Sequence, residues 1–163
     1  MEIRLIQPSD SKAFVAFYKK LTSETDYMLF TPAETSQKAA KEEDFIKKYD
    51  DYKQIFIAEE DGKIVGYLGI GRSHLEKLTH VAKLTVGVLE DHKRQGIATK
   101  LIKFAEKWAK EKGVKRLELT VVTKNKPAVA LFQKTGFKEE GTRKKSMKIE
   151  EKYFDEFLMA KTL

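Results

Sequence analysis

The chain's 163 residues are 41% hydrophobic and 35% charged, enough for an apolar core beneath a charged surface and, by length, for one domain over residues 1–163. Mean hydropathy is −0.50, and no stretch nears the roughly 18 apolar residues of a membrane-spanning helix, which excludes a helical membrane protein. The absence of cysteine removes disulfide frameworks, thiolate nucleophiles and cysteine-ligated zinc, and His74, His80 and His92, at no i, i+4 spacing, predict no metal site.

Residues 1–10 (MEIRLIQPSD) lack the basic region and apolar run of a signal peptide, so the expectation is a soluble cytoplasmic domain. Lys and Arg total 32 against 25 Asp and Glu, a net charge of +7. That excess favours a polyanionic partner, nucleic acid or a phosphorylated cofactor alike. The lysines are interspersed with acids along the chain, the pattern of solvated faces.

In chain order, residues 1–7 (MEIRLIQ) alternate apolar and polar and predict a first strand. Pro8-Ser9-Asp10 opens a helix with Ser9 as N-cap and Phe14, Phe17, Tyr18 and Leu21 at helical spacing. Residues 22–32 are irregular yet hold Tyr27, Met28, Leu29 and Phe30; so apolar a loop packs on the core or lines a pocket, and packing is the commoner outcome. A second helix is predicted over residues 35–49, with Phe45, Ile46 and Tyr49 on its buried side.

Residues 54–60 and 63–71 read as a hairpin, because Asp61-Gly62 supplies the positive φ angles of a tight turn. Residues 79–89 are almost continuously apolar and predict a central strand. After a polar junction comes a long amphipathic helix with Ile97, Leu101, Phe104, Ala105 and Trp108 inward and Gly113 at its C-cap. Residues 114–122 predict a strand, and residues 125–134 a short helix with Asn125 as N-cap, Pro127 in the first turn and Gly136 beyond the end. Residues 137–149 and 152–159 complete a terminal hairpin. The resulting order, β-α-α-β-β-β-α-β-α-β-β, is an α/β fold built on a mixed sheet with helices on both faces.

Lys93-Arg94-Gln95-Gly96-Ile97-Ala98, where the central strand turns into the long helix, carries the most chemistry. Such a junction leaves the first amides of the helix without intrahelical acceptors, with the helix dipole behind them, and so suits phosphate. Gly96 permits close approach to the backbone, Ala98 keeps the next turn small, and Lys93 and Arg94 add charge. Alone, the segment also reads as an ordinary strand–helix turn, and it is neither a dinucleotide fingerprint nor a P-loop.

A second run, N-K-P-A-V-A-L-F-Q-K-T-G-F over residues 125–137, follows it. Taken together the two runs resemble the GNAT superfamily of acyl-CoA N-acyltransferases. The family pattern is Gln/Arg-x-x-Gly-x-Gly/Ala opening a helix, then Asn-x-x-Ala-x-x-Leu-Tyr-x-x-x-Gly-Phe. The element order matches that fold along the whole chain, the motifs cover residues 86–137, and residues 153–159 resemble the ending of many small bacterial members.

The resemblance implies transfer from acetyl-CoA to a primary amine (a small molecule, polyamine, amino acid, or protein N-terminus or lysine) by direct attack through a tetrahedral intermediate. It implies that Val86, Gly87 and Val88 hold the pantetheine arm where two parallel strands splay, with a backbone N–H near Val88 polarising the acetyl carbonyl. The amides of Lys93, Arg94, Gln95, Gly96, Ile97 and Ala98 would grip the pyrophosphate, and Asn125 and Phe132 would lie along the cofactor. Homodimers are common among small members.

Two departures bear on mechanism. Lys93 replaces the usual Gln or Arg, which backbone binding tolerates, and Phe132 replaces the Tyr that protonates the departing thiolate. Ala82 and Thr120 occupy the positions where members that use a general base carry it, and neither is basic. His80, Glu34 and Tyr153 are the remaining catalytic candidates, with Tyr27 a further phenol. Each has a plainer role: strand surface for His80, the first turn of a helix for Glu34, packing for the tyrosines. A GNAT-fold protein that binds acyl-CoA without transfer, and a basic nucleic-acid-binding module, are the competing readings.

Overall fold

A computed structural model describes residues 1–39 and 50–163. In chain order its main elements are β1 (Glu2–Leu5), α1 (Ser11–Glu24), α2 (Pro32–Ala39), β2 (Lys53–Glu60), β3 (Lys63–Arg72), β4 (Val81–Val88), α3 (Ile97–Glu111), β5 (Arg116–Val122), α4 (Lys126–Lys134), β6 (Lys138–Ile149) and β7 (Lys152–Thr162). The order is the one expected from the sequence. Phe45, Ile46 and Tyr49 of the expected second helix lie outside the described residues, and that helix starts at Pro32 rather than Thr35. β7 runs three residues beyond the predicted end at Met159.

The strands form one seven-stranded sheet in the order β1-β2-β3-β4-β5-β7-β6. Every neighbouring pair is antiparallel except β4 and β5. The β2–β3 turn is the predicted one: Asp61 and Gly62 have φ of 49° and 73°, the primed geometry that matches strand twist.

Both faces are covered, which is why Gln54–Ala58 reads as a nearly unbroken apolar run. Phe56, Ala58, Leu68, Ile70, Leu84 and Val88 pack against Leu101, Ile102, Ala105 and Trp108 of α3, and Val129 and Phe132 of α4 join the same core. On the opposite face Ile55, Ile57 and Tyr67 pack against Phe14, Phe17 and Leu21 of α1. Inward residues of α3 recur every three to four positions, as a helix stripe requires. Phe104, expected inside, is instead 40% exposed at the stripe's margin with its ring edge-on to Phe56, and Ile102 takes the buried position.

Ser9 does not cap α1 as expected. Pro8–Asp10 forms a 3-10 turn, and the Asp10 carboxylate accepts the Gln7 amide at 2.7 Å while binding Arg4 through two contacts at 2.7 and 2.9 Å. The Arg4 guanidinium, reinforced by the Gln7 amide, holds the Asp10 carboxyl below its ordinary range. A lowered folded-state value means the stabilisation is fully present above the unfolded carboxylate range and is lost as pH falls through the folded one. Asp10→Asn is expected to cost about 1–3 kcal/mol near neutral pH, as loss of charge-assisted hydrogen bonds does. The mutant and parent unfolding curves should converge as pH drops below about 4, which urea melts across pH 3–7 would measure.

Candidate active site

The parallel pair is brief. Val81, Ala82 and Lys83 are in register with Arg116, Leu117 and Glu118, after which β4 continues to Val88 and β5 to Val122 without pairing to each other. The far edge of each strand stays fully engaged, β4 with β3 and β5 with β7, so the gap is a wedge within a continuous sheet. Val86, Gly87 and Val88 lie on its β4 side, and their ladder groups facing β5 have no strand partner.

At the open end of the wedge the chain turns into α3. Glu90–His92 forms a 3-10 turn pinned by the Glu24 carboxylate, which accepts the Glu90 amide at 2.8 Å, and by His92 Nδ1 against Glu60 at 3.1 Å. Arg94 and Gly96 then adopt left-handed backbone, with φ of 62° and 79°. Such reversals turn successive N–H groups toward one side, making a concave nest of partial positive charge. The Lys93 amide, expected among the phosphate donors, instead donates to Glu90 O at 3.1 Å and closes the 3-10 turn. Among the described residues, none of the amides of residues 94–99 donates to a protein acceptor; the first α3 amide that does is Lys100, to Gly96 O at 3.0 Å. Six adjacent donors, backed by a 15-residue helix, are therefore left without a protein acceptor at the mouth of the wedge. A Cβ built on Gly96 meets nothing within 4 Å, so the space above the nest is open. Lys93 is paired with Glu90, whereas the exposed Arg94 guanidinium has no ion-pair partner among the described residues.

Asn125 caps α4 as expected: its Oδ1 accepts the Ala128 amide at 3.4 Å, leaving the side-chain NH2 as its donor. Phe132 is buried, edge-to-face with Phe137 at 5.9 Å, in the core that also contains Val88, Ile97 and Val121. Gly87 faces the other way. A Cβ there would lie 2.6 Å from Leu21 and 3.0 Å from the Tyr67 ring, so this glycine is what lets α1 approach β4.

The catalytic candidates do not assemble around the wedge. His80 is exposed just before β4, at the end of that strand remote from the nest, where its carbonyl accepts the Lys115 and Arg116 amides. Glu34 sits in the first turn of α2, its carboxylate accepting the Thr31 amide and hydroxyl at 2.9 and 3.0 Å while the Thr31 hydroxyl accepts the Glu34 amide at 3.3 Å. That reciprocal cap was readable as Thr31-Pro32-Ala33-Glu34, the Ser/Thr-x-x-Glu signature with proline at the first helical position. Tyr153 is 61% exposed at the start of β7. Ala82 is fully buried beneath α3, and Thr120 is exposed on β5.

A cavity of about 320 Å³ lies on the α1 face, the less common of the two outcomes open to the apolar loop. Its walls include Phe14, Tyr18, Leu29, Phe30 and Thr35, so two residues of the apolar loop line a pocket instead of filling core. Its floor is Ile55, Gly69, Gly71, Lys83 and Thr85 of β2, β3 and β4. Burial raises the Tyr18 phenol above its ordinary value, with a hydrogen bond to Tyr67 opposing part of the rise. The signal was present in Gly69-Ile70-Gly71: glycines at alternate positions strip one face of a strand where something else approaches.

Three of the five cations of the basic strand β6 are ion-paired. Arg143 and Lys144 pair with Glu156 and Asp155 of β7, and Lys148 with Glu151. Among the described residues no helix is long and apolar enough to cross a membrane, and no group of three His, Asp or Glu side chains is placed to hold a metal.

The model of the Acetyltransferase (GNAT) family matches residues 13–137. The L-amino acid N-acetyltransferase AaaT of Escherichia coli is 35% identical over 105 residues, covering 62% of this chain and 63% of AaaT, so the match spans under two thirds of that relative. The crystal structure of a GNAT-family acetyltransferase from Streptococcus pneumoniae superposes with a TM-score of 0.87 at 32% identity over 99% of both chains. The Salmonella typhimurium protein yncA, solved with its cofactor acetyl-CoA, shares the fold at a TM-score of 0.84 and 18% identity, covering 100% of this chain and 94% of its own.

Proposed function

Because the chain belongs to the acetyltransferase (GNAT) family, we propose that it is an N-acetyltransferase, a single domain that moves the acetyl group of acetyl-CoA to a primary amine by direct attack. The observation that carries this reading is the row of six acceptor-free amides, residues 94–99, at the mouth of the β4–β5 wedge. The nest suits a diphosphate, and the unpaired edge of β4 at residues 86–88 suits the amide groups of a pantetheine arm, which would add to the sheet as a short strand.

In this reading the Arg94 guanidinium adds charge at the phosphates, and the Asn125 NH2 donates to the arm. A β4 amide near Val88 polarises the thioester carbonyl. A neutral amine attacks from the α1 side. The C–S bond breaks as the C–N bond forms, one amine proton leaves, and the thiolate is protonated. Solvent takes and supplies these protons, since Ala82 and Thr120 offer no base and Phe132 no acid. Most of the acceleration then comes from holding amine and thioester together.

Calorimetry with acetyl-CoA, followed by thiol release on a panel of amines, tests the reading. Failure to bind at high micromolar cofactor ends it, and binding without turnover on any amine selects a non-transferring acyl-CoA-binding protein. Phe132→Tyr separates the two roles further. It is expected to leave acetyl-CoA affinity within about twofold and to raise kcat by up to about tenfold, a fraction of what a positioned general acid contributes. The gain should appear as a solvent-isotope and pH response absent from the parent.

A further inference from the structure

The α1-side cavity has a floor of side chains set in rows by strand register. Lys53, Gly71 and Lys83 form one row across β2, β3 and β4; Ile55, Gly69 and Thr85 form the next, and Ile57, Tyr67 and Gly87 the third. Neighbouring strands lie about 4.8 Å apart, so the two lysine Cα atoms stand roughly 10 Å apart with only a glycine between them. A Cβ on Gly71 would meet Lys53 Cγ at 3.5 Å, an ordinary contact, so the Lys53 stem flanks the gap that this glycine leaves between the two lysines.

Neither lysine has an ion-pair partner among the described residues, whereas Lys112 and Lys161 elsewhere hold Asp51 and Glu106 at 2.7 and 2.6 Å. The described lining of the cavity contains no carboxylate. Glu118, beside Lys83 at the last paired position of the β4–β5 ladder, is held by Arg116 at 2.7 Å. Two like charges facing one gap repel each other and any cationic ligand, and a single anion between them relieves both penalties. Next to that gap the walls turn aromatic and aliphatic, at Phe14, Tyr18, Leu29 and Phe30.

We propose that the acetyl acceptor is an amine that carries its own carboxylate: a free α-amino acid with an apolar side chain, its carboxylate held over Gly71 by Lys53 and Lys83. This rests on the acetyltransferase reading and narrows its substrate. The carboxylate takes the first row, the side chain lies against Phe14 and Tyr18, and the amine is left over Thr85, toward the residues of β4 that border the wedge. The neutral amine displaces the CoA thiolate from the thioester carbonyl. One N–H proton is lost, one proton reaches sulfur, and the products are the N-acetyl amino acid and CoA thiol. Polyamines, lysine side chains and peptide N-termini, which present cations or a neutral amide where the carboxylate should be, are disfavoured at the first row.

The test compares L-leucine with L-leucinamide as acceptors, alongside a Leu-initiated peptide and spermidine. It also measures binding of N-acetyl-L-leucine and its amide by calorimetry at low and high salt. For the parent, kcat/KM for leucine should exceed that for leucinamide at least about tenfold, and N-acetyl-L-leucine should bind more tightly than the amide by a margin that shrinks with salt. Lys53→Gln and Lys83→Gln should each raise the leucine KM about tenfold and together bring the acid-to-amide ratio near one, while Lys138→Gln, with the same loss of charge on β6, should leave that ratio unchanged. Equal use of leucine and leucinamide, preference for the peptide or spermidine, or an acid-to-amide ratio untouched by the paired substitution overturns the proposal and leaves the acetyltransferase reading standing. If acetyl-CoA binds and no amine is acetylated, the acetyltransferase reading falls, and equal binding of N-acetyl-L-leucine and its amide then overturns the carboxylate site independently.

Discussion

Gly96→Asp is expected to weaken acetyl-CoA binding at least about a hundredfold, roughly 3 kcal/mol, while leaving a folded protein. Two separable effects add at this position. The first is conformational: a φ of 79° costs a residue with a Cβ about 1–2 kcal/mol relative to glycine. The second is at the ligand, where a carboxylate would stand in the space above the nest, among the amides of residues 94–99, and repel the diphosphate proposed to bind there. Because nothing in the protein lies within 4 Å of the added Cβ, the side chain itself introduces no packing clash. Gly96→Ala isolates the first effect and should lower Tm by only about 2–8 °C and affinity by less than tenfold. Calorimetry with acetyl-CoA on all three proteins, with melts alongside, reads both effects. An aspartate variant that binds like the alanine variant would mean that the pyrophosphate lies elsewhere.

The nest was legible because its cause is local. A polar junction between an apolar strand and an amphipathic stripe, with glycine just before Ile97, is sufficient to predict acceptor-free amides, and the chain order of strands and helices follows from periodicity in the same way. The wedge was legible only through resemblance, since nothing within residues 81–88 or 116–122 says that pairing stops at Lys83 and Glu118. The capping of α1 was misread because Asp10 is drawn into a contact with Arg4, which also binds Glu59 across the sheet, and Ser9 gains no comparable partner. Phe104 was misplaced because helical spacing locates a stripe but not its edges; Ile102, one step round the helix, took the inner place. The α1-side cavity needed register. Lys53, Gly71 and Lys83 are far apart in sequence, and only the antiparallel ladders β2–β3 and β3–β4 bring them into one row.

That register makes Gly69 the position at which to close the cavity. Gly69 lies between Ile55 and Thr85 in the second row of the floor, in the middle of β3 and outside the left-handed backbone region, so a side chain there carries no φ penalty. A Cβ would touch only the Tyr67 ring, at 3.8 Å, an ordinary contact. The remaining methyl groups of a leucine would project into the 320 Å³ space beneath Phe14 and Tyr18, displacing whatever binds over Thr85. Glycine also weakens a strand interior, so Gly69→Leu is expected to match or exceed parental stability. Its kcat/KM for the acceptor should fall at least about a hundredfold, a loss near 3 kcal/mol that excluding a bound side chain and misplacing an amine would together produce. Acetyl-CoA affinity should stay within about twofold, because residues 94–99 and the wedge edge of β4 are untouched. Gly69→Ala should retain most activity, since the cavity has room for one methyl group. Steady-state kinetics with varied acceptor, set beside cofactor calorimetry, distinguishes this outcome from general damage. If Gly69→Leu lost cofactor binding as well, or kept full turnover, the α1-side cavity would not be where the amine waits.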